Sequence, residues 1–308
     1  MPADSPSTVF ISIAAYRDPE LIPTLENLLD TARHPENIVF GICLQDTKEA
    51  LARFPYDTDP FRVVKYPHKK SRGVCWARRQ AQDLYDGETY YLQIDSHMRF
   101  IEHWDHHLIA WLKLCDAEKP ILSTYPKSYT PDSETYLNNQ TPNRLTCSGF
   151  YQGKHSNTLA RRLVALPFEK SEIPARPQPS FFLSAGFLFT YGLWSRECRY
   201  DENIYFRGEE DDIAIRSWLN GWDIFYPHRV AAYHYYIRKE MRKHWSDHRD
   251  WFTKDQASIR YYSKKLQGFG QGEYHEGRTF AEYQRLSGVN YTTREIADVA
   301  RSGIYSTG

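Results

Sequence analysis

Through the first third of the chain, short and nearly continuous apolar runs alternate with polar segments whose leucines fall at helical spacing. Val9-Phe10-Ile11-Ser12-Ile13-Ala14-Ala15 is β-branched and almost unbroken, which predicts a strand covered on both faces, as in a parallel sheet. Pro19 then stands near the start of a helical pattern carrying Leu21, Leu25, Leu28 and Leu29 on one face. Residues 38–44 predict a second strand and 62–66 a third. Residues 74–85 hold no Gly or Pro and predict a helix, and 89–94 form a fourth strand running straight into Asp95. Strand, helix, strand, strand, helix, strand is the order of a doubly wound α/β sheet of mononucleotide-binding type. Ligands of such sheets bind at the carboxyl ends of the strands. Asp95 lies at such an end.

The pattern weakens after Pro120. Residues 126–180 are rich in Pro, Asn, Ser and Thr and predict long loops with short strands, the usual material of a lid or recognition surface. Residues 237–266 form a charged, aromatic-rich helical stretch, and Gly268, Gly270, Gly272 and Gly277 then break the pattern as a linker or turn. No repeat or low-complexity tract divides the chain.

Composition narrows the function. Lys plus Arg and Asp plus Glu each number 39, for a net charge of zero. Binding nucleic acid by counterion release needs a basic surplus, so that class is disfavoured. Aromatic residues at 15% are far too many for a disordered chain. Mean hydropathy is −0.67 and no apolar stretch is long enough to span a bilayer. The polar Met1 to Ser7 segment shows no secretory pattern. Cys43, Cys75, Cys115, Cys147 and Cys198 are odd in number and lack metal-like spacing, which fits a reduced, cytoplasmic setting.

The strongest local chemistry is Asp95-Ser96-His97. In extended chain a carboxylate and an imidazole two residues apart project to one side, where both could hold one cation, Mn²⁺ in preference to Mg²⁺ given the nitrogen ligand. The plainer alternative has Asp95 capping the next helix and His97 packing locally. Ser184-Ala185-Gly186 is a small-residue turn before an apolar strand, where Gly186 either lets a ligand approach or eases a tight strand entry. Gly208-Glu209-Glu210-Asp211-Asp212 opens a helical stretch. Helix-end electrostatics explain one or two acids there, and four leave at least one to face a site. His228 and His234 follow a later strand, and either could complete a metal set or simply satisfy a local hydrogen bond. His103 with His107, and His244 with His248, share i, i+4 spacing. Trp104 and Trp245 stand where a zinc protease needs Glu, so packing or surface roles are expected. The Lys69-Lys70-Ser71-Arg72 cluster, with Arg78 and Arg79, could face phosphates or only solvent. Neither a P-loop nor a dinucleotide fingerprint occurs, which removes kinases and dehydrogenases.

Taken in order, Asp95-Ser96-His97, the glycine turn at 185–187, the Glu-Asp element at 209–212 and the late His234 resemble the hallmarks of metal-dependent GT-A glycosyltransferases. More closely, the chain resembles the polypeptide hydroxyproline N-acetylglucosaminyltransferases, which act on the cytoplasmic Skp1 protein in some protists, and their bacterial relatives. It is more distantly similar to the polypeptide N-acetylgalactosaminyltransferases. Ile11-Ser12-Ile13-Ala14-Ala15-Tyr16-Arg17-Asp18, Gly73-Val74-Cys75-Trp76-Ala77-Arg78, Gln93 through Phe100, Gly208 through Asp211 and Arg278 through Val289 carry the likeness, and 126–180 match least.

The resemblance implies a GT-A fold, a doubly wound mixed sheet over residues 8–236 with a helical extension over 237–308 packed on it. It also implies a UDP-GlcNAc donor, a Mn²⁺ ion and transfer with retention. Asp95, His97 and His234 would ligate the metal, with His228 in reserve. Ala15, Tyr16 and Arg17 would lie beside the uridine, and Gly73, Arg78 and Gly186 would approach the donor. Glu209, Glu210 or Asp211 would hold the transferred sugar or the acceptor. The expected partners are a nucleotide-sugar and a protein or glycan acceptor, with no nucleic acid. Two competing expectations remain: the same donor chemistry on a glycan or small molecule, and a non-catalytic sugar-nucleotide-binding scaffold.

Overall fold

The computed structural model describes residues 7–131, 137–153, 156–237, 241–272, 274–275 and 277–305. The first six residues, on which the polar amino-terminal reading largely rests, lie outside the described residues, as do 238–240 of the expected helical stretch. The chain begins β1 (Val9–Tyr16), α1 (Leu21–Asp30), β2 (Ile38–Asp46), α2 (Lys48–Arg53), β3 (Phe61–Pro67), α3 (Val74–Gln82), β4 (Tyr90–Asp95), β5 (Met98–Phe100) and α4 (Trp104–Leu112). It continues with β6 (Pro120–Ser123), β7 (Lys127–Ser128), β8 (Asn143–Gly153), β9 (Ser156–Pro167), β10 (Gln178–Ser180), β11 (Phe187–Tyr191), α5 (Trp194–Glu197), α6 (Glu209–Leu219), β12 (Asp223–Tyr226) and β13 (Ala232–His234). The carboxyl-terminal part holds α7 (His244–Asp247), α8 (Trp251–Gly268), α9 (Phe280–Ser287), β14 (Val289–Asn290), β15 (Glu295–Ile296) and α10 (Asp298–Ser302).

Eight strands form one mixed sheet in the order β10-β12-β6-β11-β4-β1-β2-β3. The run β4-β1-β2-β3 is parallel, and β11 inserts antiparallel between β4 and β6. Alternation along β1 explains the burial on both faces. Val9, Ile11, Ile13 and Ala15 pack on Leu21, Leu25 and Leu28 of α1 and on Trp104 and Leu108 of α4. Phe10 points the other way, into a second core with Tyr91, Ile213 and Trp218. The chain leaves β1 toward β2 on one side and returns to β4 on the other, so the carboxyl ends of β1 and β4 meet at the topological switch point. Tyr16 and Asp95 end those two strands.

Two expectations are corrected. Residues 126–180 are not mainly loop, because β8 and β9 pair as a long antiparallel hairpin with a register shift between Cys147 and Gly149. The apolar alternation is broken along β9, where Arg161 is buried beside Ala160 and Leu163 while Val164 and Leu166 are exposed, which obscures the strand signal. The stretch 237–266 is not one helix: the short α7 is followed by extended backbone at His248 before α8 starts. Gly268 then ends α8, and Phe269–Gln271 form a single 3-10 turn. Tyr262 and Leu266 of α8 and Tyr283 of α9 belong to the same core as Trp218 of α6. Among the described residues no helix is long and apolar enough to cross a membrane. All five cysteines are unpaired and buried.

Candidate active site

Three side chains converge at the switch point. Asp95 is the last residue of β4, and His97 follows two residues later, just before β5 begins. His234 arrives from β13, which pairs antiparallel with β5 in a separate small sheet, placing His234 opposite Met98. The amide of Tyr235 donates to the His97 carbonyl (3.1 Å) and locks that register. As a result one ligand atom from each of Asp95, His97 and His234 lies within 4.8 Å of the other two. His234 Nε2 is 3.1 Å and His97 Nε2 4.0 Å from Asp95 Oδ2. The other carboxylate oxygen, Oδ1, accepts from Arg78 Nη2 at 2.9 Å.

These residues fit a divalent cation. Among the described residues His97 Nε2 is buried without a hydrogen-bond partner, and an imidazole nitrogen beside a carboxylate oxygen is the mixed donor set such ions take. Burial raises the Asp95 carboxyl, but Arg78 and the two imidazoles outweigh it and hold the group well below the usual carboxylate range. It is therefore a charged ligand at neutral pH. Gly186 makes room for this carboxylate, since a Cβ on residue 186 would stand 2.8 Å from Asp95 Oδ2.

The acidic run sorts itself by partner. Gly208, at φ 93°, starts α6 in the left-handed region and turns the run inward. Glu209 Oε1 pairs with Arg78 Nε at 2.5 Å, so the buried guanidinium bridges Glu209 and Asp95. Asp211 accepts from the backbone amide of Arg161 (2.7 Å) and from its guanidinium, which ties α6 to β9. Asp212 pairs with Arg216 and Lys265. Among the described residues, Glu210 is the member of the run with no cationic partner. It accepts from the Tyr125 hydroxyl (2.5 Å) and the Ala185 amide (3.0 Å). Burial pushes its carboxyl up, Tyr125 opposes and Glu209 adds, leaving it at about 7.

A cleft of ≈ 410 Å³ joins the two halves, lined by Arg78, Asp95, His97, His234, Gly186 and Glu210 among others. Phe206 and Tyr236 border it with 56% and 46% of their surfaces exposed, offering apolar faces at its mouth.

The remaining expected residues are spread more widely. Ala15 is fully buried in the core. Tyr16 donates to Asp247 (3.0 Å) and Arg17 pairs with the same carboxylate (2.9 Å), so α7 sits against the end of β1. Gly73, at φ 109°, lies against Tyr205, whose carbonyl a Cβ would meet at 2.6 Å. His228 rests on Trp111 and is not grouped with Asp95. His244 and His248 stack on each other at 4.1 Å beside Tyr16, a packing role. His103 caps α4 with left-handed backbone, and His107 stacks on Trp111. Lys69 and Lys70 are solvated, and Arg72 lies over the Trp76 ring. Sequence reasoning missed Asp18, Tyr125 and Arg161. Only Asp18 carried a signal, as the residue closing the Ala15-Tyr16-Arg17 segment.

The sequence matches the family described as Glycosyltransferase (GlcNAc) over residues 8–58 and 52–295, and the chain belongs to that family. Among solved structures, the fold is similar to the crystal structure of GalNAc-T7 with UDP, GalNAc and Mn²⁺, at 13% identity and a TM-score of 0.54 over 75% of this chain and 44% of that one. It is also similar to S. aureus TarS, at 11% identity and a TM-score of 0.50 over 96% of this chain and 44% of that one. The chain therefore spans less than half the length of either protein. These likenesses establish the fold, a GT-A glycosyltransferase fold with a large mixed sheet. No curated protein matches the sequence significantly.

Proposed function

We propose that the chain is a metal-dependent, retaining glycosyltransferase that moves GlcNAc from UDP-GlcNAc to a hydroxyl, with protein hydroxyproline as the acceptor. The observation that carries this reading is the meeting of Asp95, His97 and His234 on one cleft with Glu210. The family description supports the sugar, and the GalNAc-T7 structure pairs the same fold with UDP and Mn²⁺. The resemblance to the Skp1-type enzymes supports the acceptor and a cytoplasmic setting, with which five buried thiols agree. The exposed faces of Phe206 and Tyr236 suit a prolyl ring. They also suit the apolar face of a sugar, which keeps a glycan acceptor as the second reading.

In this reading Asp95, His97 and His234 hold a divalent cation, which when bound neutralises charge on the departing diphosphate. Arg78 lines the cleft with a buried Nη1 that has no hydrogen-bond partner among the described residues, and it adds a fixed positive charge on the same side. Tyr16 and Arg17 flank the nucleoside end, with Ala15 and Gly73 shaping the backbone there and Gly186 keeping the floor open. The sugar–phosphate bond breaks with its electron pair on the phosphate oxygen. The acceptor oxygen bonds the anomeric carbon on the same face, and its proton passes to that phosphate oxygen. Glu209 and Asp211 are spent on Arg78 and Arg161, so Glu210 is the carboxylate that receives a sugar or acceptor hydroxyl.

The test is UDP release from UDP-GlcNAc with and without Mn²⁺. Slow, Mn²⁺-dependent release, accelerated by hydroxyproline peptides and not by their proline counterparts, is the expected result. Binding of UDP without turnover under any metal would leave the scaffold alternative standing. Gly186→Ala is expected to weaken Mn²⁺ binding about tenfold or more, read by calorimetric titration, because its methyl displaces the Asp95 carboxylate.

A further inference from the structure

Building on that metal-binding reading, we infer that Asp18 is a positioning residue, the group that commits His97 to ligation through Nε2. β1 stops at Tyr16, and Arg17 takes a left-handed backbone (φ 49°) that side chains rarely adopt. That turn swings the Asp18 side chain back beneath the end of β4. There it is almost wholly buried, with 2% of the side chain exposed. Its Oδ2 accepts from Ser96 Oγ at 2.7 Å and meets His97 Nδ1 at 2.7 Å.

An ionised carboxylate can only accept, so the proton in this contact belongs to Nδ1. Ser96 cannot serve instead, because its hydroxyl is given to Asp18 and lies 3.5 Å from Nδ1. With Nδ1 protonated, a neutral imidazole carries its lone pair on Nε2. That atom is buried, lacks a hydrogen-bond partner and faces Asp95 Oδ2 at 4.0 Å. A lone pair turned toward a carboxylate in a buried setting is unfavourable alone, and a cation between the two relieves it. Carboxylate–imidazole–metal arrays of this kind orient the ring and raise its basicity.

A merely structural role is also available to Asp18. Its Oδ1 accepts from the Glu20 amide at 3.1 Å and its carbonyl from the Leu21 amide at 3.3 Å, which braces the entry to α1. The two roles separate at the tautomer. Bracing α1 does not require Nδ1 of His97 to be protonated, whereas positioning does.

The experiment uses the full chain without metal. Long-range proton–nitrogen correlation spectra, with His97 assigned through His97→Gln, report which ring nitrogen carries the proton. Mn²⁺ affinity is then measured by calorimetry in the wild type and in Asp18→Asn. The expected result is protonated Nδ1 and bare Nε2 in the wild type. Asp18→Asn should lose that preference and bind Mn²⁺ about 10–100-fold more weakly, with an unchanged circular dichroism spectrum. If Asp18→Asn does not fold, the wild-type tautomer decides alone. A protonated Nε2, or an Asp18→Asn protein that binds Mn²⁺ as tightly as the wild type, overturns the inference. A wild type that binds no Mn²⁺ despite a protonated Nδ1 overturns the metal-dependent function, and this inference with it.

Discussion

Asp95→Asn is expected to lower Mn²⁺-dependent UDP release by about 10³-fold or more, since a metal ion contributes several kcal/mol to such a step. The change is nearly isosteric, so it isolates charge. It removes the anionic member of the proposed ligand set and leaves two neutral imidazoles to hold a dication. Asp95 Oδ1 also offsets the buried Arg78, which would retain Glu209 at 2.5 Å. The protein should therefore stay folded, and a circular dichroism melt beside the rate measurement checks this. The variant's rate should no longer respond to added Mn²⁺. Release within tenfold of the wild type, still metal-dependent, would show that the cation binds elsewhere.

How much of this was legible beforehand follows from distance along the chain. Asp95 and His97 share one strand end, and the strand pattern together with the spacing suffices to see them as a pair. His234 belongs with them only because β13 pairs with β5 in the small second sheet, and no local periodicity encodes a pairing between segments so far apart. The parallel half of the sheet was readable from its apolar runs, which are buried on both faces. The β8–β9 hairpin was not, because its buried face carries Arg161 in place of an apolar residue.

Arg161 also shows why the acidic run could not be resolved from sequence. Its register is set by the cations that receive Glu209, Asp211 and Asp212, and those come from α3, β9 and α8. Four adjacent acids look alike until Arg78, Arg161 and Lys265 are placed around them. Glu210 is then distinguished by meeting a tyrosine hydroxyl and a backbone amide.

That distinction makes Glu210→Gln the sharpest test of the acceptor half of the site. A hydrogen bond to a carboxylate exceeds one to a neutral amide by about 1–2 kcal/mol, so kcat/KM should fall about five- to thirtyfold. The pH dependence gives a second, independent signature. The folded-state value near 7 lies above the unfolded reference of 4.5. Stability from the neutral carboxyl is therefore complete below that reference and is lost as pH rises through about 7. The wild type should weaken relative to Glu210→Gln between pH 5 and 8 on the order of that shift, in thermal melts run side by side. Activity should move the opposite way, rising in the wild type as Glu210 ionises, with that limb absent in the variant. Comparing the two proteins at each pH cancels the groups common to both. A limb that persists unchanged in Glu210→Gln would assign the titration to another group and take Glu210 out of the acceptor site.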